Sequence, residues 1–322
     1  MNESQLIFII SQPRAGSTYL QNLLSNNSQV NTCSEPWLML HLSSLIKPEL
    51  SQATYDSALA NKAFNEYLKT HHTLNFQEKK KQFLLSLYQP MQDGYTYVID
   101  KTPRYWELLN ELITLFPKSK FIILKRNPFD VVTSIIKTWQ VDSLKALRYY
   151  HRDILLAPKV LQDFCNTHQT NPQVYTLRYE DLISDTKHEV EKLYNWLEVP
   201  FTFEVLDSSK NKKYKGKYGD PYQNTDAKNI DALRQQAKEK PLDPLFMAFL
   251  SGYAKYVGEN FLKDYGNYKC NVPFKETDAF NTYLDFDRFE ITQKFMKTSR
   301  AYKIGTIILK PISLVKKAIK GL

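Results

Sequence analysis

Three times along this chain a short run of β-branched and aromatic residues stops at a polar turn and gives way to apolar residues at helical spacing. The first run, Leu6–Ile10, leads through Ser11–Thr18 into Leu20, Leu23 and Leu24. The second, Tyr97–Asp100, leads through Lys101–Arg104 into Leu108, Leu109, Leu112 and Leu115. The third, Phe121–Leu124, leads through Lys125–Pro128 into Val131, Val132, Ile135 and Ile136. Uninterrupted apolar runs of this length suit strands buried on both faces, and strand–turn–helix units in series predict an α/β fold, a parallel sheet flanked by helices. Val174–Leu177 reads as a further strand, and Thr186 with Glu189 predicts a capping box opening a helix through Leu193, Trp196 and Leu197. Two polar, mostly helical stretches, about 41–92 and 139–170, interrupt the series as insertions expected to form a lid or a substrate pocket, and about 207–229 has loop composition.

At 322 residues and 43% hydrophobic, the chain can bury a sizeable core in one large domain or a domain with a lid. The net charge is +9, but Arg300–Leu322 alone holds one Arg and five Lys with no acid. The remaining body is only mildly basic, which suits a small polyanionic ligand and argues against a nucleic-acid-reading surface. Cys33, Cys165 and Cys270 are far apart with no C-x-x-C spacing, so they are expected to be reduced thiols, and the histidines show no metal spacing, so no metal is expected. Leu6–Ile10 is too short to span a membrane and lacks a cationic leader or cleavage site, which points to the cytoplasm. Ile308, Ile312, Val315, Ile319 and Leu322 fall at helical spacing, with Lys316, Lys317 and Lys320 on another face. That pattern fits either a helix lying on an anionic membrane, which would make the protein membrane-associated, or a terminal helix docked on the domain.

A turn between a buried parallel strand and a helix gathers backbone N–H groups and the positive end of the helix dipole, so it can hold an anion. In Gln12–Thr18, Gly16 allows close backbone approach, Ser17 and Thr18 offer hydroxyls, and Arg14 is a planar cation. The lysine of G-x-x-x-x-G-K-[ST] is missing, which weighs against a nucleoside or metabolite kinase. Pro13–Thr18 (PRAGST) resembles the 5′-phosphosulfate loop of sulfotransferases that use 3′-phosphoadenosine-5′-phosphosulfate (PAPS), P-[RK]-[SA]-G-[ST]-[ST]. Phe121–Ser134 is similar to that family's 3′-phosphate segment, with Arg126 after the strand and Ser134 eight positions later. Arg178–Leu182 is similar to its Y-E-D-L stretch, whose tyrosine, here Tyr179, lies against the adenine.

The resemblance implies a P-loop NTPase-like sulfotransferase fold over 1–299, with 300–322 a basic amphipathic segment. It implies PAPS as donor and its desulfonated product PAP, held by Arg14, Ala15, Gly16, Ser17, Thr18 and Tyr19 at the 5′ end and by Arg126 and Ser134 at the 3′ end. Lys101 resembles the lysine that stabilises the transferring group. The histidine usual two positions later is replaced by Pro103, and Val30–Pro36 looks like the branch of protein-tyrosine and many bacterial sulfotransferases, which makes Glu35 the expected base. Burial beside an anionic donor improves a carboxylate as proton acceptor. Lys215–Pro221 partly resembles a loop that closes over the 3′-phosphate, which adds Lys215 and Lys217 as donor contacts, and Ser208 and Ser209 as groups orienting the sulfonate. The acceptor implied is a hydroxyl, or an amine, of a small metabolite, lipid or glycan. A kinase, or a nucleotide-binding module without catalysis, are the competing readings.

Overall fold

The computed structural model describes residues 1–51, 53–216, 218–220 and 241–286. Lys217 and the segment 300–322, both singled out in the sequence, lie outside the described residues. Five parallel strands form one sheet: β1 Leu6–Ser11, β2 Val30–Thr32, β3 Tyr97–Lys101, β4 Lys120–Lys125 and β5 Val174–Arg178, in the order β2-β3-β1-β4-β5. Among the described residues the α-helices include α1 Ser17–Ser25, α2 Ser57–Thr70, α3 Phe76–Ser86, α4 Leu109–Leu115, α5 Pro128–Thr138, α6 Ala157–Thr167, α7 Tyr179–Ser184, α8 Thr186–Leu197, α9 Pro244–Val257 and α10 Glu259–Gly266. No described helix is long and apolar enough to cross a membrane.

The apolar run of β1 is buried along its whole length because it lies between β3 and β4 with helices on both faces. Phe8, level with Asp100 and Phe121, is the centre of one face: its ring stacks on Phe121 at 5.1 Å, tilts against Phe116 at 5.8 Å and takes Tyr88 and Tyr105 edge-on. The edge strand β5 is only partly buried, and its run is accordingly shorter in apolar residues.

The chain divides into two compact units. One contains Met1–Gln140, Tyr150–Pro241 and Asn260–Lys269, and so holds the whole sheet; the other contains Val141–Tyr149, Leu242–Glu259 and the chain from Cys270 onward. The expected second insertion is therefore split between the units. Its part in the first unit is not a lid: Ala157, Leu161 and Phe164 of α6 are buried in the sheet's core cluster. The first stretch behaves differently, since α2 buries no residue and α3 buries only Leu84. In the second unit, Phe249 and Tyr253 of α9 pack against Phe280, and Gly252 is the point of closest approach.

The cap of α8 lies one residue before the expected position. Asp185 accepts from the His188 amide, while the Thr186 hydroxyl is spent on the Leu182 carbonyl at 2.8 Å, so Thr186 opens the helix rather than capping it.

Because Phe8 contacts four aromatic rings in a close-packed core, Phe8→Ala is expected to lower stability by about 3–5 kcal/mol, read from the urea midpoint. A loss under about 1 kcal/mol would mean that the cluster collapses into the gap.

Candidate active site

The carboxyl ends of β1, β3 and β4 lie side by side, and in a sheet whose strand order reverses at β1 this edge opens a crevice. The turn after β1 fills it first. Arg14 (φ 70°) and Gly16 (φ 96°) are both left-handed, and the Ala15 amide closes the turn onto the Gln12 carbonyl at 3.2 Å. Gln12 is buried and donates to the Asp153 carbonyl. Gly16 occupies the N-cap of α1, where no side chain caps the helix, so its first amides are left available for an anion. A Cβ on Gly16 would fall 2.4 Å from the Tyr179 ring, so glycine is required here by both conformation and space.

The turn after β4 meets the first directly. Arg126 donates from Nη1 to the Arg14 carbonyl at 2.9 Å, and its guanidinium lies 4.5 Å from the centre of the Tyr179 ring. Its Nε is buried with no hydrogen-bond partner among the described residues. The Glu180 carboxylate holds this turn by accepting from the Asn127 amide at 2.9 Å, and Asn127 in turn caps α5. Arg14 donates from Nε to the Ser134 hydroxyl at 3.3 Å and pairs with Asp220 at 3.2 Å. The residues assigned from sequence to opposite ends of a donor thus form one contiguous cluster.

The third strand end carries the other charges. Lys101 is 0% exposed, and its ammonium donates to Glu35 at 2.8 Å and to the Thr18 hydroxyl at 3.3 Å. The second Glu35 oxygen accepts from the Trp37 indole N–H at 3.2 Å. Asp100 does not pair with its neighbour Lys101: its carboxylate takes the hydroxyls of Tyr88, Thr102 and Tyr105 at 2.6, 2.7 and 2.9 Å. Burial pushes the Asp100 carboxyl up to about 6, against the lowering effect of those three bonds and with a smaller push from the Glu35 charge. Burial also raises the Cys33 thiol to about 12, with Asp100 adding to it, so Cys33 is an inert thiol rather than a nucleophile. Arg104 binds Asp153 at 2.8 Å and lies 5.3 Å from the Trp37 ring centre.

Residues from these strand ends line a cleft of about 1070 Å³. Arg14, Gly16, Ser17, Thr18, Tyr19, Glu35, Arg126, Ser134 and Tyr179 all face it. Lys101 reaches it through Glu35 and Thr18, and Ala15 is buried beneath the turn. Tyr19 lines the cleft while its hydroxyl engages Thr186. Lys215 is exposed and does not line the cleft; its carbonyl accepts from the Ser34 amide, and the Gly216 carbonyl accepts from the Ser34 hydroxyl. The Lys215 loop thereby braces the turn bearing Glu35. Ser208 and Ser209 sit on an exposed 3-10 turn organised by Asp207, away from the lining. Sequence reasoning missed Trp37, Arg104, Glu180 and Asp220 as lining residues. Glu180, Asp220 and Arg104 stood inside quoted segments without being assigned a role, whereas nothing local distinguished Trp37.

A model described as the sulfotransferase family matches residues 6–203, the stretch from β1 to beyond α8 that builds this cleft. The chain belongs to the sulfotransferase family. The nodulation protein NoeE of Sinorhizobium fredii (strain NBRC 101917 / NGR234) is 32% identical over 136 residues, which are 42% of this chain and 32% of NoeE. An uncharacterized protein of Aquifex aeolicus (strain VF5) is 23% identical over 212 residues, 64% of this chain and 27% of that one. The chain thus spans roughly a third of the length of these curated relatives. Among solved structures, the sulfotransferase domain from the curacin biosynthetic pathway aligns over 88% of this chain and 96% of its own length, at 20% identity and a TM-score of 0.47.

In this member of the sulfotransferase family, Gly16→Ala would force a methyl group into the Tyr179 ring and hold alanine at a left-handed φ. A stability loss of about 1–3 kcal/mol in urea is expected, and an unchanged midpoint would show that Tyr179 is free to move off the turn.

Proposed function

We propose that this sulfotransferase moves the sulfonate of PAPS to an acceptor hydroxyl by in-line displacement. The observation that carries the reading is the convergence, in one cleft, of an uncapped helix N-terminus, two arginines and a buried lysine that touches a carboxylate. A ligand with phosphate at both ends of one nucleoside fits that distribution. The buried Nε of Arg126, unpartnered among the described residues, is a donor awaiting an acceptor, and the missing side chain at Gly16 lets the Tyr179 ring sit directly against the turn.

In this reading Arg126 and Ser134 hold the 3′-phosphate, Tyr179 lies against the adenine, and Arg14 with the amides of Ala15 to Tyr19 holds the 5′-phosphosulfate. The acceptor oxygen attacks sulfur as the bond from sulfur to the 5′-phosphate oxygen breaks. Glu35 takes the acceptor proton, and Lys101 with the start of α1 stabilises the charge left on the phosphate oxygen. The acceptor enters on the side of Trp37, Pro103 and Arg104, which line the cleft next to Glu35. Its class is a hydroxyl-bearing small metabolite, lipid or glycan.

The decisive experiment incubates the protein with PAPS and a library of acceptors and follows the gain of one sulfonate by mass spectrometry; magnesium-dependent consumption of ATP in place of sulfonation would point instead to a kinase. Lys101→Ala and Arg14→Ala are expected to lower kcat by on the order of 10²- to 10³-fold or more, since each removes charge stabilisation from the transition state. Activity within a few-fold of the parent would refute the placement. Arg126→Ala is expected to weaken binding of PAP far more than that of adenosine-5′-phosphosulfate in calorimetry, and equal losses would remove Arg126 from the 3′-phosphate.

A further inference from the structure

Asp100 is a fully buried charge that the proposed reaction does not use. It precedes Lys101 on β3, and the period of a strand puts the two side chains on opposite faces of the sheet. Three neutral hydroxyls converge on its carboxylate: Tyr88 from the insertion before β3, and Thr102 and Tyr105 from the turn after it. Tyr88 and Thr102 also lie against the Tyr105 hydroxyl. The third, Tyr105, has a second bond, for its oxygen accepts the Met39 amide at 3.0 Å.

Met39 lies four residues after Glu35 and is itself fully buried. Between them stands Trp37, held at a left-handed φ of 54° and donating its indole N–H to Glu35. The path from the Asp100 carboxylate through the Tyr105 hydroxyl to the Met39 amide therefore joins the strand that carries Lys101 to the segment that carries Glu35. A hydroxyl has one proton; by drawing that proton, Asp100 turns the Tyr105 oxygen into an acceptor aimed at the Met39 amide.

We propose that Asp100 and Tyr105 are positioning residues that hold Glu35 against Lys101. The pair acts from behind the sheet edge, does not line the cleft, and fixes the separation of the two groups across it. The inference rests on the reading of Glu35 and Lys101 given above. Tyr88, bonded to the same carboxylate and in contact with the Tyr105 hydroxyl, reaches Met39 only through Tyr105 and so serves as the off-path comparison.

Tyr105→Phe keeps the ring in the core and removes both bonds. It is expected to lower kcat by about 10- to 100-fold while leaving the dissociation constant of PAP within about twofold. Tyr88→Phe, which removes a bond to the same carboxylate, is expected to stay within about twofold of the parent in kcat. In a Glu35→Gln background, Tyr105→Phe is expected to add less than about twofold, because a residue acting only through Glu35 has nothing left to position. An equal kcat loss in the two backgrounds, or a loss in Tyr88→Phe as large as that in Tyr105→Phe, overturns the proposal. A crystal structure of Tyr105→Phe gives a readout free of turnover: the contact of Glu35 with Lys101, 2.8 Å in the parent, is expected to open beyond hydrogen-bond reach. Its persistence refutes the positioning role even if the protein proves to transfer no sulfonate. Conversely, a parent enzyme indifferent to Glu35→Gln, with the contact opened in Tyr105→Phe, faults the assigned base and leaves the positioning role standing.

Discussion

The parallel pairing of β1 with β3 on one side and β4 on the other is the constraint from which the site follows. Ile9 stands level with Lys101, and Ser11 with Leu124, so the three strands end along nearly one line. Parallel strands leave a sheet in the same direction, and each must return over a helix, so their polar turns are forced onto a single edge. Arg14 and Arg126 are 112 residues apart in the chain and still share a direct hydrogen bond, because the register allows no other outcome once both turns are tight.

That edge concentrates charge at low exposure, and the structure manages it without leaving a bare ion. Lys101, wholly buried, is met by Glu35 and a hydroxyl; Asp100, equally buried, is met by three hydroxyls. The two adjacent charges answer different needs. Lys101 lies behind Glu35 and Thr18 of the cleft wall and is compensated by a carboxylate, whereas Asp100 lies in the core and is compensated by hydroxyl dipoles. Its carboxyl, raised to about 6 by burial, shows that those dipoles offset only part of the desolvation.

The strands β1, β3 and β4 and the turns after them were legible in the sequence because burial on both faces demands unbroken apolar runs, whereas β2, three residues long and only partly buried, has no such run to announce it. The resemblance of the turns to a known family then supplied residue roles that composition alone could not. Partnerships across long separations were not legible: nothing in the sequence links Lys101 to Glu35, 66 residues away, or Glu107 to Arg152. The cap of α8 was misplaced by one residue because Asp185 and Thr186 are both good caps, and only the competing bond to Leu182 decides between them. The region around 139–170 read as a polar insertion because charged and amide residues interrupt its apolar ones, yet Ala157, Leu161 and Phe164 fall on the side of α6 that closes the core.

Asp220 gives the cleft a property that its cationic residues alone would not. Its carboxylate rests on Arg14, so that guanidinium already has a counter-ion before any ligand arrives. An anion that engages the same face of Arg14 must evict this resident, and binding there becomes an exchange rather than a capture. An exchange of like charges gains less free energy than filling a naked cation, and it is reversed whenever the carboxylate returns. Arg14 therefore enters any such exchange already neutralised, and the carboxylate tethered beside it stays within reach of the position it vacates.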